Sequence, residues 1–390
     1  MDQSIAQPAT PFGAAGIVRT AYAPHDAPDP LAQLAEGLGD EPLEVVILFV
    51  SPQAQITETI QRAKTLFGNA KVIGCTTAGE ISRHGYSDGE IVAVGLPRTH
   101  FRARTMLVED VSNFDSQALI DRMICARNDL IREKPDWENE FNFMVIDGLS
   151  TKEDKLTSEL AVGLGPVPLF GGSAGDGDSF GKTFVLHEGI AYSNAAVLTQ
   201  VRTNCPVKVF RTDHLIPTEQ RMVVTGADPE TRTVHEINAE PAAREYARIL
   251  GKDPEQLTTF TFAAHPVVVR IGGQHHVRSI QRVADNGDLI FFSAIDEGLV
   301  LTLAEPQNMV SHLKREMAAL SADATPDAIL ACDCLLRRTE AQQKQMTGAI
   351  SDILSKNRVV GFSTYGEQLN SMHVNQTLTG VAIYPPEESA

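Results

Sequence analysis

Nothing in the 390 residues approaches the run of about 18 consecutive apolar residues that a membrane-spanning helix requires, and the amino terminus lacks a basic segment followed by an apolar one. Neither membrane insertion nor a secretory signal is therefore expected, and the cytoplasm is the expected compartment. Positive charge is scarce: 33 Lys plus Arg stand against 50 Asp plus Glu, a net charge of −17. That balance repels nucleic-acid phosphates and anionic membrane surfaces, so neither is an expected partner. Cysteine is sparse as well. Five cysteines, an odd number scattered through the chain, suit a reducing compartment and argue against a disulfide framework. Cys332 and Cys334, two apart on an apolar strand, share a face; with no second Cys or His pair at zinc spacing they read as core thiols. The usual catalytic signatures are missing: no Gly-x-Ser-x-Gly, no His-Glu-x-x-His, no Cys-x-x-Cys and no phosphate-binding loop with its Lys. The chain is not expected to be an enzyme. A hydrolase using Ser173 or Thr77 is the minor alternative, since the sequence fixes no His beside either.

What is present is repetition. Lys71-Val-Ile-Gly-Cys-Thr-Thr-Ala-Gly-Glu80, Pro168-Leu-Phe-Gly-Gly-Ser-Ala-Gly-Asp176 and Arg358-Val-Val-Gly-Phe-Ser-Thr-Tyr-Gly-Glu367 each read as an apolar strand running into a small-residue turn closed by an acid. Each follows another apolar run and a helical pattern. Each precedes a Tyr/His-x-Asp/Asn step: Tyr86-Ser-Asp88, Tyr192-Ser-Asn194 and His373-Val-Asn375. The unit is strand, helix, strand, polar turn, strand. Gly79, Gly175 and Gly366 are expected to occupy equivalent turns, and Glu80, Asp176 and Glu367 to bond backbone N–H groups there.

The length suits two domains. The expected fold is α/β: two pseudo-repeated domains with mixed β-sheets and outer helices, with αββα layering as one arrangement. Residues 1–30, rich in Ala, Pro and Asp, read as a flexible tail, and 385–390 as another. The boundary between 31–215 and 216–384 falls where the apolar strand 195–201 gives way to hairpin patterns. Among these are 222–225 with 233–237, and Asn286-Gly287 leading into 289–294. Residues 260–271 read as a strand.

In this order, Gly74-Cys-Thr-Thr-Ala-Gly-Glu-Ile81, Gly171-Gly-Ser-Ala-Gly-Asp176, Val277-Arg278, Asp333-Cys-Leu-Leu-Arg337 and Gly361-Phe-Ser-Thr-Tyr-Gly-Glu367 resemble the FIST family of bacterial sensory domains, over residues 31–384. The resemblance implies a ligand-binding signal-input protein. The stand-alone arrangement is similar to the NosP type, which bind a b-type haem and sense nitric oxide. By that likeness a separately encoded histidine kinase of a two-component system, or a cyclic-di-GMP enzyme, is the implied partner. Other members suggest an amino acid or another small carboxylate instead.

Haem calls for an axial ligand, commonly a neutral His, with cations near the propionates. The candidates are His265, His275, His276 and His373. His276 is preferred because it stands two residues before Arg278 on one strand and so shares its face; His265 is the alternate. Arg278 and Arg337 are expected to line one pocket as a clamp for carboxylates, with one of them paired to Glu367. The sequence leaves open which ligand is bound and whether the chain forms a homo-oligomer.

Overall fold

The computed structural model describes residues 16–386. The first repeat runs β1 (Arg19–Pro24), α1 (Pro30–Leu38), β2 (Leu43–Val50), α2 (Ile56–Leu66) and β3 (Lys71–Thr76). A short hairpin, β4 (Glu80–Ser82) and β5 (Gly85–Ser87), and the return strand β6 (Glu90–Pro97) complete it. Local chemistry sets these limits. Asp29 accepts the Ala32 N–H at 3.1 Å and Pro30 fills the first turn of α1. All of β2 beyond Leu43 is buried, as a strand covered on both faces must be.

The second repeat has the same order: β7 (Phe101–Val108), α3 (Ser116–Glu133), β8 (Asn139–Ile146), α4 (Glu153–Leu164), β9 (Leu169–Ser173), the hairpin β10 (Val185–His187) and β11 (Ile190–Tyr192), and β12 (Ala196–Thr203). The third opens with β13 (Val207–Thr212) and is then interrupted. The insert comprises β14 (Leu215–Asp228), β15 (Thr233–Ile237), β16 (Glu240–Pro241), α5 (Ala242–Leu250), α6 (Thr259–Ala264), β17 (Val267–Ile271), β18 (Gln274–Arg278), β19 (Ile280–Val283), β20 (Leu289–Phe291) and β21 (Val300–Pro306). The repeat resumes with α7 (Met309–Leu320), β22 (Ala328–Cys334), α8 (Leu335–Gln343), α9 (Thr347–Lys356), β23 (Val359–Thr364), the hairpin β24 (Glu367–Leu369) and β25 (Met372–Val374), and β26 (Leu378–Ile383).

Three sheets have one strand order: β1-β6-β2-β3-β10-β11, β7-β12-β8-β9-β24-β25 and β13-β26-β22-β23-β4-β5. In each, four strands come from one repeat and the edge hairpin from another. The first repeat's hairpin joins the third sheet, the third's joins the second, and the second's joins the first. The inner faces of all three sheets meet in one core that includes Phe49, Phe143, Phe170 and Phe362. Each outer face carries its own helices: α1 and α2, α3 and α4, and α7 with α9. The helices lie outside mixed sheets as expected, but a third sheet turns the anticipated αββα layers into a three-sided arrangement.

Gly74, Gly171 and Gly361 occupy one position in this scheme. A Cβ at any of them would overlap the facing carbonyl oxygen of Leu48, Met144 or Ala331 on the neighbouring parallel strand. The three strands end in turns that touch in a cycle. Ala78 N–H donates to Ser363 O (2.9 Å), Gly175 N–H to Thr76 O (3.0 Å) and Tyr365 N–H to Ser173 O (3.4 Å). The turns thus follow equivalent strands, but Gly175 is one residue out of step: its counterparts are Ala78 and Tyr365, and Asp176 stands where the others have Gly79 and Gly366. The counterpart of Glu80 and Glu367 at the head of the hairpin is Val185.

The insert has its own sheet, β18-β17-β21-β14-β15-β20-β19, and its own core around Tyr246, Phe262 and Leu301. Two stretches differ from the sequence reading. A first strand near Ile17 and Val18 is the alternative to a tail at the amino terminus; β1 forms just beyond them, at Arg19–Pro24, because burial against β6 outweighs the loose composition around it, and residues 1–15 of the expected tail lie outside the described residues. Residues 259–264, whose alternating Phe suggested a strand, form α6, because Thr258 and Thr261 make a reciprocal capping box.

Candidate functional site

The buried acids of the turns serve the turns. Glu80 accepts from Thr77 Oγ1 (2.5 Å) and Glu90 N–H (3.2 Å). Glu367 accepts from Thr364 Oγ1 (2.6 Å), Thr377 N–H (3.1 Å) and Thr377 Oγ1 (2.7 Å). Burial pushes Glu80 up to about 7 and Glu367 up to about 8, against the pull of these hydrogen bonds.

Arg337 is drawn into a different network. It is 2% exposed on α8 and donates to Asp333 Oδ1 at 2.7 Å, with Nη1 3.0 Å from His214 Nδ1. His214 Nε2 lies 2.9 Å from Glu340, and Tyr86 bonds Asp333. Arg337 is therefore paired to Asp333 rather than Glu367, and the structure does not bring it together with Arg278. Its neighbour Arg338 pairs with Asp88 at 2.7 Å and lies in the floor of a cleft of about 410 Å³. Ala78, Gly177, Phe180, Thr259 and Leu335 also line that cleft.

Arg278 is placed where the insert meets the repeat body. Among the described residues no carboxylate lies within ion-pair distance of it, and its Nε has no hydrogen-bond partner. Burial lowers its proton affinity, and the nearby Arg232 lowers it further, while Asp154 opposes both. Arg232 is itself committed, donating to Glu153 at 2.6 Å and Asp154 at 3.1 Å at the start of α4. Other buried polar atoms without partners are Ser279 Oγ and Ser293 Oγ from the insert and His373 Nε2 and Asn375 Nδ2 from the third repeat, and the charge of Arg278 reaches His373.

The orientation of these groups is fixed. Asn375 Oδ1 accepts the Ser279 N–H at 3.4 Å, leaving Nδ2 free to donate. Gln368 Nε2 donates to the Gly366 carbonyl (3.3 Å) and to Ser173 Oγ (3.0 Å), so this same NH2 faces His373 Nδ1 at 3.3 Å. Burial holds His373 neutral by lowering its proton affinity, and the charges of Asp154, Glu153, Arg232 and Arg278 all reach it. Gly366 makes the close packing work: a Cβ there would run into His373 and Asn375. Arg278 Nε, His373 Nε2 and Asn375 Nδ2 are thus left as buried polar atoms without partners.

His276 and Arg278 share a strand face, as the register of β18 against Val269 and Val267 requires. His276 Nδ1 lies 3.4 Å from Arg211 Nη1, and burial, Arg211 and Arg278 lower its proton affinity. His265 is half-buried, with Lys252, Lys344 and Glu305 as its charged neighbours. His275 is exposed. Ser279, Ser293, Asn375 and Arg232 escaped the sequence reading. The signal for Asn375 was present in the third Tyr/His-x-Asp/Asn step, where His373 and Asn375 replace Tyr86 and Asp88 of the first repeat.

The structure is a three-sheet body with an inserted domain, and buried polar atoms without partners lie on both. The FIST N domain matches residues 44–240 and the FIST C domain residues 242–370, and the chain belongs to the FIST family. FIST domains are sensory domains that bind small ligands. The chain is also similar to an uncharacterized protein of Methanocaldococcus jannaschii, 22% identical over 304 residues. That alignment covers 73% of this chain and 58% of the relative, so the chain spans well under two thirds of that protein's length. Among the described residues no helix is long and apolar enough to cross a membrane.

Proposed function

We propose that this protein is the input part of a signalling system and that it binds a small organic carboxylate at Arg278, His373 and Asn375. What supports the reading is a single observation: Arg278 Nε, His373 Nε2 and Asn375 Nδ2 are buried polar atoms without a hydrogen-bond partner among the described residues. A carboxylate supplies the acceptor and the charge that Arg278 lacks, and it bridges insert and body. Arg278 is half-buried, donates from Nη1 to the Val277 carbonyl at 3.4 Å and feels the charge of Asp154; a carboxylate adds a direct ion pair, so occupancy favours the arrangement in which insert and body both contact the ligand. The signal then leaves through the surface of the insert toward a separate histidine kinase or cyclic-di-GMP enzyme.

Calorimetric titration with acetate, succinate, benzoate and amino acids tests this. Saturable binding is expected for at least one, and Arg278→Ala should weaken it on the order of 100-fold, as truncating one side of a buried charged pair does. Failure of every carboxylate, together with a sharp Soret band on haem addition that His276→Ala or His265→Ala removes, would replace this reading with the haem and nitric oxide one.

A further inference from the structure

The repeats supply an internal control for function, because a segment that breaks their symmetry is not required by the fold. Three segments do so. Strand and hairpin are joined by residues 77–79 in the first repeat and 365–366 in the third, but by residues 174–184 in the second. The crossover from inner strand to helix takes residues 51–55 in the first repeat and 147–152 in the second, but residues 335–346 in the third, where it carries α8. The insert is the last departure. All three converge on the cleft of about 410 Å³ beside Arg338: Gly177, Asp178 and Phe180 come from the long turn, Leu335 and Arg338 from α8, and Thr259 from α6 of the insert. By contrast, the clefts between α1 and α2 and between α7 and α9 each lie within a single repeat. The shared cleft also lies just past the carboxyl ends of β3, β9 and β22, which is where ligands of open α/β sheets bind.

From this convergence we infer that the cleft is a second ligand site and that it takes a small organic cation, an alkyl- or arylammonium ion held by Asp178 and Asp88. Its volume falls in the range of roughly 300–1,000 Å³ usual for small-molecule sites. The charged residues lining it are Asp88, Asp178 and Arg338, and the positive one is already committed. Arg338 is 4% exposed, donates from Nη2 to Ser87 O at 2.9 Å and to Asp88 Oδ2 at 2.7 Å, and lies 5.2 Å from the centre of the Tyr86 ring. Asp178 is exposed, and among the described residues no cation lies within ion-pair distance of it. The cleft therefore keeps one uncompensated negative charge, and the chain's net charge of −17 draws cations toward it. Ala78, Leu335 and Phe180 offer apolar surface to the carbon body of the ligand. The turn that carries Asp178 is fixed at both ends. Phe180 has φ of 49°, a left-handed conformation that a bulky side chain adopts at a cost, and its ring packs 5.7 Å from Phe292 of the insert and 4.7 Å from Tyr365 of the third repeat. Asp176 Oδ2 accepts the Gly181 N–H at 2.8 Å and the Lys182 N–H at 2.6 Å. Asp178 thus stands beside the cleft before any ligand arrives, which lowers the ordering cost of binding.

The test is calorimetric titration of the full chain with benzylamine, butylamine and putrescine. At least one should bind saturably, one per chain, with an affinity that falls as salt is raised. Asp178→Asn should weaken that binding on the order of fivefold, as losing a solvent-exposed ion pair does, and Asp178→Lys on the order of tenfold or more, since it replaces attraction by repulsion. Asp136, an exposed acid just before β8, lies at the opposite end of that strand from the cleft. Asp136→Asn should leave amine binding unchanged, which separates the cleft from diffuse attraction to an acidic surface. The site is independent of the carboxylate reading: Arg278→Ala should weaken carboxylate binding and spare that of the amine, so each can fail without the other. No saturable binding by any of the three amines, equal binding by the wild type and Asp178→Lys, or equal losses from Asp136→Asn and Asp178→Asn would overturn the site.

Discussion

Glu367 shows at the level of one residue how the turns were built. Its carboxyl is fully buried against Thr364 and Thr377, and its proton is held up to about 8 where the ordinary value is 4.5. Glu80 repeats the arrangement, held up to about 7. The folded chain therefore binds more protons than the unfolded chain between about pH 4.5 and 8. Through these groups stability is greatest below that window and declines as pH rises across it. Glu367→Gln keeps the acceptor for Thr377 and copies the protonated form. The variant should lose much of the decline and gain on the order of 2 kcal/mol at pH 8.5, read by urea unfolding at a series of pH values. Arg278 is the complementary case, a half-buried charge at the end of a strand rather than a carboxyl in a turn. The sequence singled it out by its place after a hairpin, but not the neighbourhood of Ser279 and Asn375, which packing brings together from segments almost 100 residues apart. Arg337 misled for the opposite reason. A guanidinium at the end of an apolar strand looks directed at a ligand, but one helical turn brings it back onto Asp333 of its own strand.

Strands and turns were the readable part of the chain at the level of elements, since apolar runs bounded by glycine give period and ends together. The helix α6 was not, because a six-residue segment with alternating Phe carries strand periodicity and only its capping threonines decide otherwise. The shared glycine of β3, β9 and β23 is a sharper matter. At Gly361 a methyl group would enter the space of the Ala331 carbonyl, so Gly361→Ala should cost about 3 kcal/mol. Gly348, in the first turn of α9, has nothing within 4 Å and an ordinary helical backbone. Gly348→Ala should instead add about 0.5–1 kcal/mol by reducing the freedom of the unfolded chain. Denaturant midpoints of the two variants, compared with the wild type at constant slope, test both signs at once.

On the scale of the whole molecule, repetition announced three units, but the sequence carries no record of which sheet each hairpin joins. That choice depends on strand edges meeting across the core. The insert is the separable part. It enters and leaves beside itself, Leu215 pairing with Pro306, and its core is its own. Replacing residues 216–305 by an Asn-Gly turn should leave the circular dichroism of the body and a single cooperative melting transition, while carboxylate binding disappears with Arg278, Ser279 and Ser293. Retained binding would place the site elsewhere. The cyclic hand-over of hairpins has a further consequence. A ring in which each member lends its edge to the next closes equally well when the members are separate chains, whereas one member alone would leave a sheet edge bare and a hairpin homeless. An ancestor with a single repeat would therefore have been a threefold-symmetric homotrimer, and fusion of three gene copies would have turned its subunit contacts into the interior of one polypeptide. Only after such a fusion could one copy accept an insert and another lengthen a turn.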